Sequence, residues 1–376
     1  MATNVTISSA VRSNLNALQS TSKLMTSVQE KLATGKKVNS ALDNPNSFFT
    51  AKGLENRASD LSTLLDDMGQ SVQTLKAADK GITAISDLVD AAKAKANQAS
   101  QTSSQTERAQ YAEEYNELLT QIEDLAKDSG YKGKNLLGGT GNDLSVTFNE
   151  DGTSSLAISA VDFTDTTSST GLNLSDLATA STGTATLAVT GSAGTTLDST
   201  ANFSSGDVIT LTDANGSEVG SLTIDASTTI ADLEALYDGV DGASAAFATN
   251  TLTVTSEFKL TTSSSNSTPA DFTTNGTDSG FATDANIDAA LTKLKKAQDT
   301  LRSQASTFGT NLSIVQNRQD FTNSMINTLE EGAGKLTLAD TNEEGANLLA
   351  LQTQQSLAST SLSLAAQADQ NVLRLF

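Results

Sequence analysis

The sequence predicts a mainly α fold with a β insertion. Long, coiled-coil-like helices from both ends form a bundle, and the middle of the chain adds a small, β-rich outer domain. Three observations predict it. Apolar residues recur every seven positions through both flanks of the 376-residue chain, the spacing that packs one helix along another. In the middle the apolar period switches to two, which is the strand period. Only 37% of residues are hydrophobic and there is no Trp, so long helices and small β modules fit better than one large core.

At the start, Val11, Leu18, Met25 and Leu32 fall seven apart, with Leu15 and Val28 between them. Residues 1–45 therefore read as one seam helix. Gly35 ends it, and Pro45 bars helix across Asn44, because the proline ring disfavours helical backbone in the residue before it. From about Ser47 a longer pattern begins: Leu54, Leu61, Met68, Leu75, Ile82, Val89 and Ala96, with Ala58, Leu65 and Val72 on the alternate ladder. At 1.5 Å per residue this helix is about 80 Å long. The polar run Ser100–Thr106 reads as a turn. A third helix follows with Tyr111, Tyr115, Leu118, Ile122 and Leu125 on one face, stopped by Gly130 and Gly133. The short connection predicts an antiparallel hairpin with the long helix.

Leu144, Val146 and Phe148 then alternate, Asn149–Gly152 turns, and Leu156 and Ile158 alternate back. Residues 164–206 are rich in Thr, Ser, Gly and Ala, with Leu187–Val189 a short strand candidate. Val208–Leu211 and Val219–Ile224 flank Asn215-Gly216, a hairpin signature. Thr229 is placed to cap a short helix over Ile230–Tyr237, and strands at Phe247 and Leu252–Val254 complete a ββαββ order. Ser263–Gly280 reads as low-complexity and flexible. Heptads return at Ile287, Leu294, Leu301, Phe308, Val315 and Leu329, broken only by Thr322; Leu291, Ala305, Leu312 and Ile326 fill the second ladder.

The last thirty-five residues carry two seams. Leu351, Ala358, Ala365 and Val372 form one ladder, and Leu348, Leu362 and Phe376 the other, interrupted by Gln355 and Asp369. Beside them, Ala350, Leu357 and Leu364 widen the apolar face. A face this broad calls for more than one partner. The apolar run Val372-Leu373-Arg374-Leu375-Phe376 implies burial by another molecule, since chain ends are ordinarily solvated.

Composition excludes several functions. With no Cys and no His, disulfides, zinc fingers, thiol catalysis and His-based acid–base chemistry are absent. The net charge of -21 is uneven: residues 139–285 hold nineteen acidic groups and one basic, Lys259. Such a block reads as a solvated outer face that repels phosphate backbones and anionic lipid, so neither nucleic acid nor membrane is an expected partner. No apolar run approaches a membrane span, and no secretory h-region opens the chain. No cofactor is expected. Asp213, Asn215 and Glu218 miss the twelve-residue calcium pattern and read as turn chemistry. Glu113/Glu114 and Glu330/Glu331 read as solvent faces of helices, so the chain is not expected to be an enzyme.

The chain resembles bacterial flagellins. The motifs that carry this are Leu32-Ala-Thr-Gly-Lys36 and Asn39-Ser-Ala-Leu-Asp43 near the start. At the end they are Glu344-Gly-Ala-Asn-Leu-Leu-Ala-Leu-Gln352, Ser361-Leu-Ser-Leu-Ala365 and Ala368-Asp-Gln-Asn-Val-Leu-Arg-Leu-Phe376. The resemblance spans roughly residues 1–140 and 285–376; Ile224–Ser256 is similar to a module of flagellins and hook-associated proteins. It implies that residues 1–45 and 332–376 pair as a filament core (D0). Residues 46–159 and 285–331 would form an inner helical bundle (D1), and 160–284 a variable outer domain. It implies a secreted, extracellular subunit of the flagellar filament, exported by the type III apparatus. A chaperone, junction and cap proteins and further copies of itself would be its partners.

The expected assembly surface comprises Val11, Leu15, Leu18, Met25, Leu32, Leu348, Leu351, Leu357, Leu362, Val372, Leu375 and Phe376. The tails are expected to order only on polymerisation, because an isolated amphipathic helix cannot bury its own stripe. In flagellins a stretch of the long helix is recognised by an animal innate receptor through a basic residue and a leucine. Asp90 and Ala94 stand at the matching positions here, while Glu114 matches a third. Two other readings are a hook–filament junction protein and a secreted coiled-coil adhesin or scaffold.

Overall fold

The computed structural model describes residues 9–266 and 271–373, which divide into two compact units. One takes the residues up to 68, together with 147–154 and those from 317 onward; the other takes 69–146 and 155–316.

In the first unit, α1 (Ser9–Thr34) and α6 (Thr341–Leu373) pack on each other. Asn14 bonds Ser361 at 3.1 Å and Lys31 bonds Glu344 at 3.1 Å, so the pair is antiparallel in constant register. Each helix here supplies the apolar partner that an isolated amphipathic helix lacks. Gly35, at φ +67, ends α1 in the left-handed region that favours glycine. Helix α2 (Pro45–Gln101) starts where Asn44 Oδ1 accepts the Ser47 N–H at 3.1 Å, with proline in the first helical position. Ala58 and Leu61 of α2 cluster with Leu329 of α5 (Asp284–Thr337), against Leu54, Met325 and Ile326. The 147–154 turn joins this unit through Phe148, whose ring carries the Arg318 guanidinium at 5.2 Å, and through Arg57–Glu150 at 2.6 Å. Helix α5 continues to Thr337 and the break before α6 falls at 338–340.

In the second unit the heptads of α2 and α5 are buried as read: Leu75, Ile82, Val89 and Ala96 on one helix, Ile287, Leu294, Leu301, Phe308 and Val315 on the other. Helix α3 (Gln105–Asp128) is N-capped by Ser104, whose side chain accepts the Glu107 N–H. Its buried face is Ala112, Tyr115, Leu119, Ile122 and Ala126; of the predicted line Tyr115 and Ile122 are buried, while Tyr111, Leu118 and Leu125 are half-buried. Gly81 explains an apparent flaw in α2: a Cβ there would lie 2.2 Å from Ser129 Oγ and 2.8 Å from Leu137 Cδ1. The β1 (Leu144–Thr147) and β2 (Ser155–Ile158) strands pair as predicted.

The β module also lies in this unit. Strands β3 (Gly183–Ala188), β7 (Thr251–Ser256) and β6 (Ala243–Ala248) make one sheet in that order. A second runs β5 (Glu218–Thr223), β4 (Val208–Thr212), β8 (Thr261–Ser264) and β9 (Phe272–Thr273). The predicted ββαββ order is present as β4-β5-α4-β6-β7, with its two hairpins in different sheets. Their shared core is Ile209, Leu211, Ile224, Leu252 and Val254 with Ile230, Leu233 and Tyr237 of α4 (Ile230–Asp238). Thr229 and Asp232 form a full capping box on α4. Thr249 and Asn250 turn β6 into β7 with φ of 51 and 62, the left-handed pair that a tight hairpin requires. The stretch read as flexible, Ser263–Gly280, contributes the end of β8 and all of β9. Its Thr and Ser look like low complexity, yet Ser264, Thr274 and Ser279 are buried and the Thr274 hydroxyl donates to Phe258 O at 3.1 Å; residues 267–270 of the stretch lie outside the described residues. Just before it, Thr262 is buried with its Oγ1 2.9 Å from the Tyr237 hydroxyl.

Candidate assembly surface

The α1–α6 pair carries two apolar faces with different fates. Along the seam, Val11, Leu18, Met25 and Leu32 of α1 are half-buried and Val28 is buried. On α6, Leu348, Leu351, Ala358, Leu362 and Ala365 are half-buried on the same line. The alternate positions of α1 are polar: Asn14 is half-buried, and Thr21 is 3% exposed with its hydroxyl bonded to Ala17 O. Leu15, read as a seam residue, instead points outward at 40% exposure, because Asn14 takes the place facing α6.

The second face has no partner within the described residues. Leu357 is 67% exposed, Leu364 63% and Leu349 67%, and Leu24 on α1 is 53% exposed. The sequence placed Ala350, Leu357 and Leu364 beside the seam, and the structure turns that line to solvent. For Val372 only the backbone, inside α6, is described. Leu375 and Phe376 lie outside the described residues.

Below the pair, the chain segment 35–44 is fastened rather than loose. Lys36 bridges Leu338, and the Lys37 N–H donates to Thr337 O at 2.7 Å. Asp43 Oδ2 accepts the N–H groups of Asn39 at 3.0 Å and Ser40 at 2.9 Å, and the Ser40 hydroxyl at 3.2 Å. Those backbone bonds hold the Asp43 carboxyl below its usual value. Sequence reasoning recognised Asn39–Asp43 only as a motif. The signal for its structure was an Asp placed to collect the amides three and four residues before it.

The receptor-like stretch lies in the second unit. Asp90 and Ala94 are exposed, and Asp90 accepts from Gln298 Nε2. Glu114 is ion-paired to Lys95 at 2.5 Å, and Lys95 sits 5.7 Å over the Tyr111 ring.

Two of the acidic groups weighed as sites hold structure together. Asp213 is buried; it accepts Gln105 Nε2 at 2.8 Å and the turn amides of Asn215 and Ser217. Glu331 pairs with Lys335 at 2.7 Å. Among the described residues no three His, Cys, Asp or Glu side chains are grouped to hold a metal, and no helix is long and apolar enough to cross a membrane. The sequence did not reveal one polar knot. Arg108, nearly buried, donates to Thr102 O, Ala282 O and Asp284 Oδ1, while Asn215 and Asp284 exchange two further bonds. It fastens the β4–β5 turn to the start of α5.

Comparison with known proteins matches residues 4–142 to the bacterial flagellin N-terminal helical region and residues 285–376 to the bacterial flagellin C-terminal helical region. Flagellin A of Rhizobium meliloti is 26% identical over 407 aligned residues, covering 100% of both chains. Flagellin FljM of Caulobacter vibrioides is 32% identical over 139 residues, 37% of this chain and 51% of that one. Among solved structures, a flagellar junction protein from Legionella pneumophila aligns over 88% of this chain and 98% of its own. Its identity is 13% and its TM-score 0.26, too loose a superposition to argue from.

Proposed function

The chain belongs to the bacterial flagellin family, a family of flagellar structural proteins and not of enzymes, and on that premise we propose that it polymerises into the flagellar filament. One observation carries this reading: the outward line of Leu349, Leu357 and Leu364 on a helix whose other face is already occupied. Contiguous exposed apolar surface marks an interaction site. Along a repeating helix the natural complement is the same surface on further copies, joined by contacts that do not close. In this proposal residues 1–45 and 332–376 line the filament core, 46–159 with 285–331 form the surrounding bundle, and 160–284 is the outer domain. The assembly residues are the outward leucines, Leu15, Val372, Leu375 and Phe376, supported by the seam of Val11, Leu18, Met25, Leu32, Leu348, Leu351 and Leu362. Family membership supports type III export with a chaperone, an extracellular location, and junction and cap proteins as neighbours. The acidic outer module, with one basic residue among nineteen acidic ones over 139–285, suits a surface bathed in solvent.

The test is growth from purified full-length protein. Micrometre filaments seeded from fragments of the same polymer support the filament reading. A subunit confined to the hook–filament junction would stop after a bounded layer, and a monomeric adhesin would not sediment at all. Either outcome replaces the proposal.

A further inference from the structure

Leu42 is 94% exposed, the highest value among the large apolar side chains of the described residues. It is not carried on a loose loop. Asp43 Oδ2 gathers the Asn39 and Ser40 amides, and the Leu42 N–H itself donates to Ser40 Oγ at 3.2 Å. The leucine is therefore held out into water by a turn that has already lost its conformational freedom, an arrangement that lowers the cost of binding.

The same unit contains a half-enclosed cavity of about 120 Å³. Buried Val38 and Ala51 and half-buried Phe48 line it, with Lys36, Lys52 and Glu55 also at its wall. It has room for one aliphatic side chain, and the exposure of Leu42 shows that the chain's own leucine does not fill it.

We propose that Leu42 of one copy seats in the Val38–Phe48–Ala51 cavity of the next copy. Three points select a second copy as the occupant. Knob and cavity are different surfaces of one chain, so a second copy carries the complement of each, and a one-way seating propagates where a mutual one would close a dimer. The charges are complementary: Asp43 rides beside the knob, its Oδ1 taking none of the turn bonds, and Lys36 stands at the cavity, where Lys52 is already paired with Glu55 at 3.1 Å. The connector is also continuous with α1, whose outward Leu15 belongs to the proposed assembly surface. The inference deepens the assembly reading and rests on it.

The experiment exploits the absence of cysteine. Full-length L42C and K52C chains are mixed, polymerised, and oxidised with dissolved oxygen and a copper–phenanthroline catalyst, which removes two electrons and two protons to join the sulfurs. The expected result is a covalent dimer from the mixture in polymer, and none in dilute monomer or in polymer of L42C alone. In parallel, L42A should fold as the unaltered chain does, since its side chain touches little. It should raise the concentration of unpolymerised protein about tenfold, or about 1.4 kcal/mol per contact. If the unaltered chain polymerises while L42A matches it and no cross-link forms, the knob is refuted and assembly stands. If the unaltered chain never polymerises, the assembly reading falls and the knob with it.

Discussion

Truncating Leu357 and Leu364 together to alanine should separate folding from assembly. In the single chain these side chains are 67% and 63% exposed, so the monomer loses little packing, and alanine is the better helix former. Full burial of a leucine contributes ~1.5–3 kcal/mol. The two-thirds still available at each position is therefore ~1–2 kcal/mol, or ~2–4 kcal/mol for the pair. At 1.4 kcal/mol per tenfold, the critical concentration for polymerisation should rise roughly 30- to 700-fold. The assay is sedimentation of polymer across a concentration series, with circular dichroism confirming unchanged monomer helicity. The seam substitution Leu348→Ala provides the contrast, because that half-buried residue packs within the chain and its loss should reduce monomer helicity as well. A shift of less than about threefold for the double variant, against the tenfold-per-1.4 kcal/mol scale, would refute the claim that this face is buried between copies.

Two glycines of α2 should respond with opposite sign. A methyl group added at Gly53 would have nothing within 4 Å, so Gly53→Ala should stabilise by about 0.5–1 kcal/mol. Gly81→Ala meets Ser129 and Leu137 and should cost about 1–3 kcal/mol, both read from denaturant midpoints. Tyr237→Phe leaves the buried Thr262 hydroxyl without its partner and should destabilise the β module by about 1–3 kcal/mol in thermal melts. Asp43 has a carboxyl held below its ordinary 3.8, so the order it confers is complete above that value and is lost as pH falls through the lower, folded one. Amide exchange at Asn39 and Ser40 should stay slow from neutrality to the mild-acid range and quicken only below it, whereas Asp43→Asn should quicken it at every pH. Finally, monomer applied to reporter cells for the flagellin innate receptor should give a weak or absent response, because Asp90 and Ala94 replace the basic residue and leucine and Glu114 is tied to Lys95; a strong response would overturn this.

Periodicity made most of the helical frame legible. A seven-residue spacing needs no partner's coordinates to show which side of α2 or α5 is dry, and Leu75 through Ala96 and Ile287 through Val315 are buried as the pattern requires. Local chemistry was equally readable: Pro45 starting a helix, Gly35 ending one, Thr229 capping another. These depend on a few neighbouring backbone atoms, so sequence alone determines them. Tertiary structure decided what distance in sequence hides. It chose Asn14 over Leu15 for the α1–α6 seam, because register between two helices is set by every rung at once. It sent the two hairpins of the β module into separate sheets, and it made a strand of a threonine-rich stretch whose partner, β4, lies some fifty residues earlier. It also brought Arg108, Asn215 and Asp284 together. Strand pairing and buried polar bonds are non-local: their energy exists only once the partner arrives, and no spacing within either segment records which partner that will be.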